Sequence, residues 1–389
     1  MSCYQDSYYL RKRFMGALMA LLWCASLEAA AASGELIAQF KTQGPIWSNI
    51  TIADEMVYFG SDDGNLYALD ANSHRLVWQF ETGDKVRSTP LVEGGVVYFS
   101  SDDGYVYALN KQDGKKLWRF DLDDGHRLRQ LPANEPPWFY DYRKSSPVFN
   151  DGVIYVGSAD QYFYAIDAKS GKLRWRFKTA GKIRATASFL DNKVFISSWD
   201  GNTYALDKRS GEQLWFHASH RLINSDPKVV GKYVVIGSRN ARLYALNSAT
   251  GEVEWQYLFR DGSWVESSAV ATPDAQYFYI GTSDGKKLLK FNGNTGEPVW
   301  QFNTQGWSWG APLLDGDIVY IGAMGADGYW TKVVRGFYGV NAASGELTWQ
   351  YQPEKIAGYV NGGVFATPAV HKGQLWVADL DGRVRVFTR

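Results

Sequence analysis

Tyr107-Ala108-Leu109-Asn110-Lys111-Gln112-Asp113-Gly114-Lys115-Lys116-Leu117-Trp118-Arg119-Phe120 reads as a strand, a glycine turn and a second strand carrying one large aromatic. The phrase recurs along the chain. Tyr67-Ala68-Leu69-Asp70 leads to Trp78, and Tyr164-Ala165-Ile166-Asp167 leads to Gly171 and Trp175. Tyr204-Ala205-Leu206-Asp207 leads to Gly211 and Trp215, and Tyr244-Ala245-Leu246-Asn247 to Gly251 and Trp255. Looser copies end at Gly296 with Trp300 and at Gly345 with Trp349. A repeat every 40 to 57 residues sets the architecture ahead of any local propensity.

Outward from the quoted stretch, one unit reads as four strands. Residues 86–92 form the first and 96–101 the second. Asp102-Asp103-Gly104 then turns the chain into the quoted pair. An Asp-Gly pair between apolar runs is a hairpin signal, because glycine accepts the positive φ of tight turns. Four antiparallel strands joined by hairpins make one propeller blade. Second strands begin at Val57, Val97, Ile154, Val194, Val234, Phe278, Val319 and Leu375, which gives eight blades. The last lacks a fourth strand, since Val384-Arg385-Val386-Phe387-Thr388-Arg389 ends the chain. Gly34-Glu35-Leu36-Ile37-Ala38-Gln39-Phe40 has the missing frame, with Gly34 in the turn and Ala38 at the tryptophan position. The expectation is an all-β, eight-bladed β-propeller of four-stranded antiparallel blades, its ring closed by the N-terminal strand and its exposed edges removed. One turn departs from the pattern, with His74 where other copies have glycine.

Residues 1–32 read as a secretory signal peptide and 33–389 as the propeller. Arg11, Lys12 and Arg13 precede an apolar stretch from Phe14 to Leu27, and four alanines precede Ser33. The apolar stretch is short for a bilayer span, so no transmembrane span is expected after cleavage. Export to the periplasm or the exterior follows. Both cysteines, Cys3 and Cys24, fall inside this segment, which leaves the mature chain without thiol chemistry. A lipoprotein signal needs a small residue before its cysteine; Trp23 stands there, so no lipid anchor is expected. Without residues 1–32 the net charge is −1, since three of 41 basic and two of 41 acidic residues go with them. That balance speaks against a nucleic-acid partner.

The pattern A-x-D/N-x-x-x-G-x-x-x-W resembles the tryptophan-docking motif of the pyrroloquinoline-quinone (PQQ) repeat family, over residues 34–389. The WD-repeat alternative fails. Its Trp-Asp pair ends a strand, whereas Trp199-Asp200, the one such pair here, falls in a turn. Two branches of the resembled family imply different functions. BamB-type components of the outer-membrane assembly machinery are exported, non-catalytic propellers that work through protein contacts. The terminal Asp381 to Arg389 resembles the end of that branch, and the lipid cysteine is the departure. Quinoprotein dehydrogenases bind PQQ with calcium at the propeller mouth. They carry larger insertions and often adjacent cysteines, which the mature chain lacks. The first branch is the expected one, with no cofactor, a monomer and a protein partner in the cell envelope. The alternative is PQQ-dependent alcohol or sugar oxidation, or small-ligand binding.

Candidate site residues follow from topology. The start of each first strand should face the channel mouth. In register there stand Trp47, Arg87, Lys144, Arg184, Asn224, Glu266, Trp309 and Phe365. Three cations on consecutive blades suit an anionic group. Two long irregular insertions should share one rim: residues 121–142, with Trp138, Phe139 and Tyr140, and residues 324–334, with Trp330. These aromatics are the candidate anchors for a partner. His217 and His220 lack further clustered ligands for zinc, and residues 121–125 lack the ligand spacing of a calcium loop. There is no nucleophile elbow, phosphate loop or dinucleotide fingerprint.

Overall fold

The computed structural model describes residues 34–122 and 141–389. Eight antiparallel sheets follow one another around an axis, and seven of them are ordered from first strand to last as the chain runs. Blade 1 is typical, with strands Thr51–Ala53, Met56–Gly60, Asn65–Asp70 and Leu76–Glu81. The two middle strands of each blade are buried almost throughout, because a neighbouring blade covers both faces. Their Val, Ile, Tyr and Phe suit a pleated, two-sided core. The outermost strands alternate, one face packed and the other in solvent.

Blade 8 is built from both ends of the chain. Leu36–Lys41 pairs antiparallel with Arg383–Thr388, Ala38 opposite Val386 and Phe40 opposite Val384. The ring thus closes as the repeat frame required.

Every outermost strand carries a bulge just before its tryptophan. In blade 1, Ala68 faces Trp78 but Leu69 faces Leu76, leaving Val77 over. The same slip recurs in the other seven blades, at Ala38 in blade 8. A bulge re-aims the side chain beside it, and here each indole turns onto the glycine turn of the next blade. A Cβ on Gly114, Gly171, Gly211 or Gly251 would meet the ring of Trp78, Trp118, Trp175 or Trp215 at 2.5–2.8 Å. Each indole also donates across the gap: Trp78 Nε1 to the Lys111 carbonyl at 3.0 Å and Trp118 Nε1 to that of Ala168 at 3.0 Å.

Two features differ from the sequence expectation. The first strands are shorter than read: in blade 2 the ladder covers Leu91–Glu93, not 86–92. Near the axis, neighbouring inner strands belong to separate sheets. Side chains stitch them instead, as Ser48 Oγ does to the Ser88 carbonyl at 2.8 Å and Ser145 Oγ to that of Ala185 at 3.0 Å. Second, the insertion at 324–334 is partly regular. Ile318–Ala326 continues as one strand, and Val360–Gly363 pairs with its end as a fifth strand of blade 7.

Candidate functional site

All eight residues predicted at the channel mouth come together there, and all eight are buried. They divide by chemistry. Blades 7, 8 and 1 supply Trp309, Phe365 and Trp47; blades 2 to 6 supply Arg87, Lys144, Arg184, Asn224 and Glu266. Between the two halves sits Tyr142, itself fully buried, from the end of the long insertion before blade 3. Its ring stacks on Trp309 at 4.9 Å and meets Phe365 edge-on at 5.5 Å and Trp47 at 5.8 Å. Trp307 extends the stack, 5.0 Å beyond Trp309. The Tyr142 hydroxyl faces the polar half and donates to Glu266 Oε2 at 2.7 Å. An aromatic with one wet end is suited to such a divided environment.

The polar half is paired internally. Arg87 holds Asp62 through two bonds, Nε to Oδ1 at 2.7 Å and Nη2 to Oδ2 at 2.6 Å. Arg184 holds Asp141 likewise, at 2.6 and 2.8 Å, and Lys182 joins at 3.0 Å. Glu266 receives Asn224 Nδ2 at 2.6 Å and Tyr142, and pairs with Arg239. Burial alone would raise the Glu266 pKa. The Arg239 charge and three side-chain donors outweigh it, so the carboxylate stays ionised below the usual range. Burial, then the Glu266 charge, pushes the Tyr142 phenol well above its ordinary value and keeps it a donor.

Many of these partners stand one blade earlier, in the turn between second and third strands. The separations are 25 residues for Asp62–Arg87 and Trp199–Asn224, 27 for Arg239–Glu266 and 26 for Ser283–Trp309. Ala159 occupies that place for Arg184, and Arg184 turns to Asp141 instead. The pairs are complementary at a spacing of 25 to 27 residues, a signal the sequence held and sequence reasoning missed. Arg143 was missed as well. The residue just before each mouth position is Ile or Val in six blades, but Arg143 in blade 3. It crosses the axis, donating Nη1 to the carbonyls of Asn224 at 2.6 Å and Glu266 at 3.1 Å, and Nη2 to Asp226 at 3.1 Å.

A polar cavity of about 30 Å3 remains below Tyr142. That is room for about two or three water molecules, each needing ~10–15 Å3 by this measure, and far below what a tricyclic quinone occupies. With Tyr142 on the axis and the mouth charges engaged by protein partners, the described residues do not fit PQQ. No three His, Cys, Asp or Glu among them gather as metal ligands either. His217 packs on Tyr244 at 5.1 Å, and burial lowers its pKa, as does the nearby His220 charge.

On the predicted rim, Trp330 is 65% exposed and stacks on Tyr329 at 3.8 Å. Tyr329 is anchored by Asp284 Oδ1 at 2.6 Å and edge-on to Trp307 at 4.9 Å. Beside them lies a cavity of about 410 Å3 with Lys332, Arg335 and Lys355 on its walls. Trp138, Phe139 and Tyr140 lie outside the described residues, as does the segment read as a signal peptide. No described helix is long and apolar enough to cross a membrane.

No curated protein matches the chain. Solved structures with the same fold include the computationally designed Ika8 protein, at 17% identity and TM-score 0.71, covering 92% of this chain and 100% of that one. BamB from Moraxella catarrhalis has 18% identity and TM-score 0.66, covering 91% and 97%. Quinohemoprotein alcohol dehydrogenase from Comamonas testosteroni has 15% identity and TM-score 0.69, covering 92% and 77%. At such identities these likenesses speak to fold alone. The profile described as outer membrane protein assembly factor BamB, however, matches residues 25–142, 120–263 and 260–389, and the chain belongs to that family.

Proposed function

We propose that the chain is an exported, non-catalytic propeller scaffold that binds a protein partner in the cell envelope. One observation carries this reading: the channel mouth, where a propeller enzyme would work, is filled by the protein's own side chains. Tyr142 stands on the axis, and Arg87, Arg184 and Glu266 are each engaged by an opposite charge. The rim, in contrast, presents a large aromatic to solvent. Trp330 on its Tyr329 base, ringed by three cations, has the features of an interface anchor. The working unit is a monomer without a lipid anchor, held in place by its partner.

Two measurements test the reading. A photoreactive amino acid in place of Trp330, irradiated in cells, should yield a discrete protein adduct from the envelope fraction. Irradiation that yields none would remove the rim anchor. Purified protein incubated with PQQ and calcium, then desalted, should retain no chromophore. Stoichiometric retention would replace the scaffold by a quinoprotein dehydrogenase.

A further inference from the structure

Five oxidisable rings run in contact from the axis to the rim. Tyr142 stacks on Trp309 at 4.9 Å, and Trp309 on Trp307 at 5.0 Å with their planes 9° apart. Trp307 meets Tyr329 edge-on at 4.9 Å, and Tyr329 stacks on Trp330 at 3.8 Å. Among the described residues six ring pairs lie within 5.0 Å, and four of them make up this run. The other two, Tyr155–Phe189 and Tyr257–Phe259, each include a phenylalanine, whose ring resists one-electron oxidation. Indole–phenol pairs inside the blades are wider and isolated. Tyr58–Trp78 at 5.8 Å and Tyr98–Trp118 at 5.7 Å make no further described ring contact.

The two ends of the run differ. Trp330 is 65% exposed, and no other Trp or Tyr among the described residues is exposed, so an oxidant in solution meets it first. Residues 34–389 hold no cysteine to compete for that oxidant. Tyr142, at the inner end, is fully buried. The rings also have proton acceptors. Asp284 Oδ1 takes the Tyr329 hydroxyl at 2.6 Å and Trp307 Nε1 at 3.2 Å, so it can take and return a proton. The Tyr142 hydroxyl donates to Glu266 Oε2 at 2.7 Å, and that carboxylate is ionised. A phenol that gives up an electron becomes a strong acid, and a base within hydrogen-bond reach can receive its proton. We infer that the run is a relay for one-electron oxidation, which carries the oxidising equivalent from Trp330 at the rim to Tyr142 on the axis. A diffusing one-electron oxidant takes an electron from Trp330 and is itself reduced. Tyr329, Trp307 and Trp309 each pass one electron outward and receive one from the next ring inward, so they end as they began. Tyr142 supplies the last electron, its phenolic proton moves to Glu266 Oε2, and a neutral phenoxyl radical remains, shielded from solvent. The inference goes beyond the scaffold reading and does not rest on it.

The purified protein would be oxidised by tris(bipyridine)ruthenium(III) generated in a laser flash. Transient absorption should show an indolyl radical that decays as a phenoxyl radical grows, both at one rate. Tyr142→Phe keeps the ring but lacks the hydroxyl; it should lose most of the phenoxyl signal and leave the indolyl radical longer-lived. Trp330→Leu is a change at the exposed rim that removes the point of entry without touching the buried rings; it should lower the phenoxyl yield in the same way. An indolyl radical that decays with no phenoxyl growth overturns the relay. A phenoxyl signal undiminished in Tyr142→Phe puts the radical on another tyrosine, Tyr329 included, and overturns it too. A yield unchanged in Trp330→Leu means that Tyr142 is oxidised by a different route, which is equally fatal to it.

Discussion

Tyr142 has its ring in an aromatic box and its hydroxyl on a buried carboxylate. Tyr142→Phe keeps the box but removes one donor from Glu266, at an expected cost of about 1–3 kcal/mol. Tyr142→Ala also empties the axis and should cost about 3–5 kcal/mol, as large-to-small aromatic changes do. Urea unfolding of both variants checks the order; a neutral Phe variant would mean that Arg239 and Asn224 suffice for Glu266. Asp379 makes a second residue-scale case. It is fully buried and shares the Arg385 guanidinium with Asp381. Burial first, then the Asp381 charge, pushes its pKa up to about 7. The raised value means that the folded state prefers the neutral carboxyl. Its stabilisation is complete below the unfolded value of about 4 and is lost as pH rises through about 7. Asp379→Asn should flatten unfolding free energy across that window and leave the protein no less stable above it. A variant with unchanged pH dependence would place the titration elsewhere.

The repeated element is a bulged outer strand whose indole covers the glycine turn next door. Gly251 has a φ of +78°, and a Cβ there would meet the Trp215 ring at 2.6 Å. Gly262 has a φ of +75° with nothing within 4 Å. Alanine at either site bears the left-handed cost of about 1–2 kcal/mol. At Gly251 it must also displace the indole, for about 1–3 kcal/mol more. Thermal unfolding of the two variants isolates the dock, and equal losses would refute it.

At the scale of the whole ring, one junction breaks the pattern, and it breaks it on both sides at once. Blade 8 has Ala38 where the others have tryptophan, and blade 1 has His74 where the others have glycine. His74 turns its ring toward blade 8. Its ring lies 5.3 Å from Trp376, and Nε2 is 3.2 Å from Gln374 Oε1. On the same junction Glu55 binds His371 at 3.1 Å and Lys372 at 2.7 Å. The seam where the two chain ends meet therefore uses polar pairs in place of the indole dock. Ala38→Trp alone should clash with His74, and His74→Gly alone should leave a gap. Together they should restore the dock, with a favourable coupling of about 0.5–3 kcal/mol in a double-mutant cycle. Additive losses would mean that the two exceptions are unrelated.

The sequence by itself determined the blade count, the closure by residues 34–40, the Gly–Trp pairs and the eight mouth residues. These rest on hairpins and on a short phrase repeated in register, so each copy corroborates the others. Both seam exceptions were also legible, at Ala38 and His74. Tertiary structure alone decided what the mouth does. Tyr142 lies at the end of an insertion with no counterpart in other blades, and its acceptor Glu266 is 124 residues away. Arg143 reaches blades 5 and 6 across the axis. Contacts across a channel have no period along the chain, so the reading that left three cations free for an anionic ligand could not foresee their partners. The geometry gave two of those cations, Arg87 and Arg184, to Asp62 and Asp141.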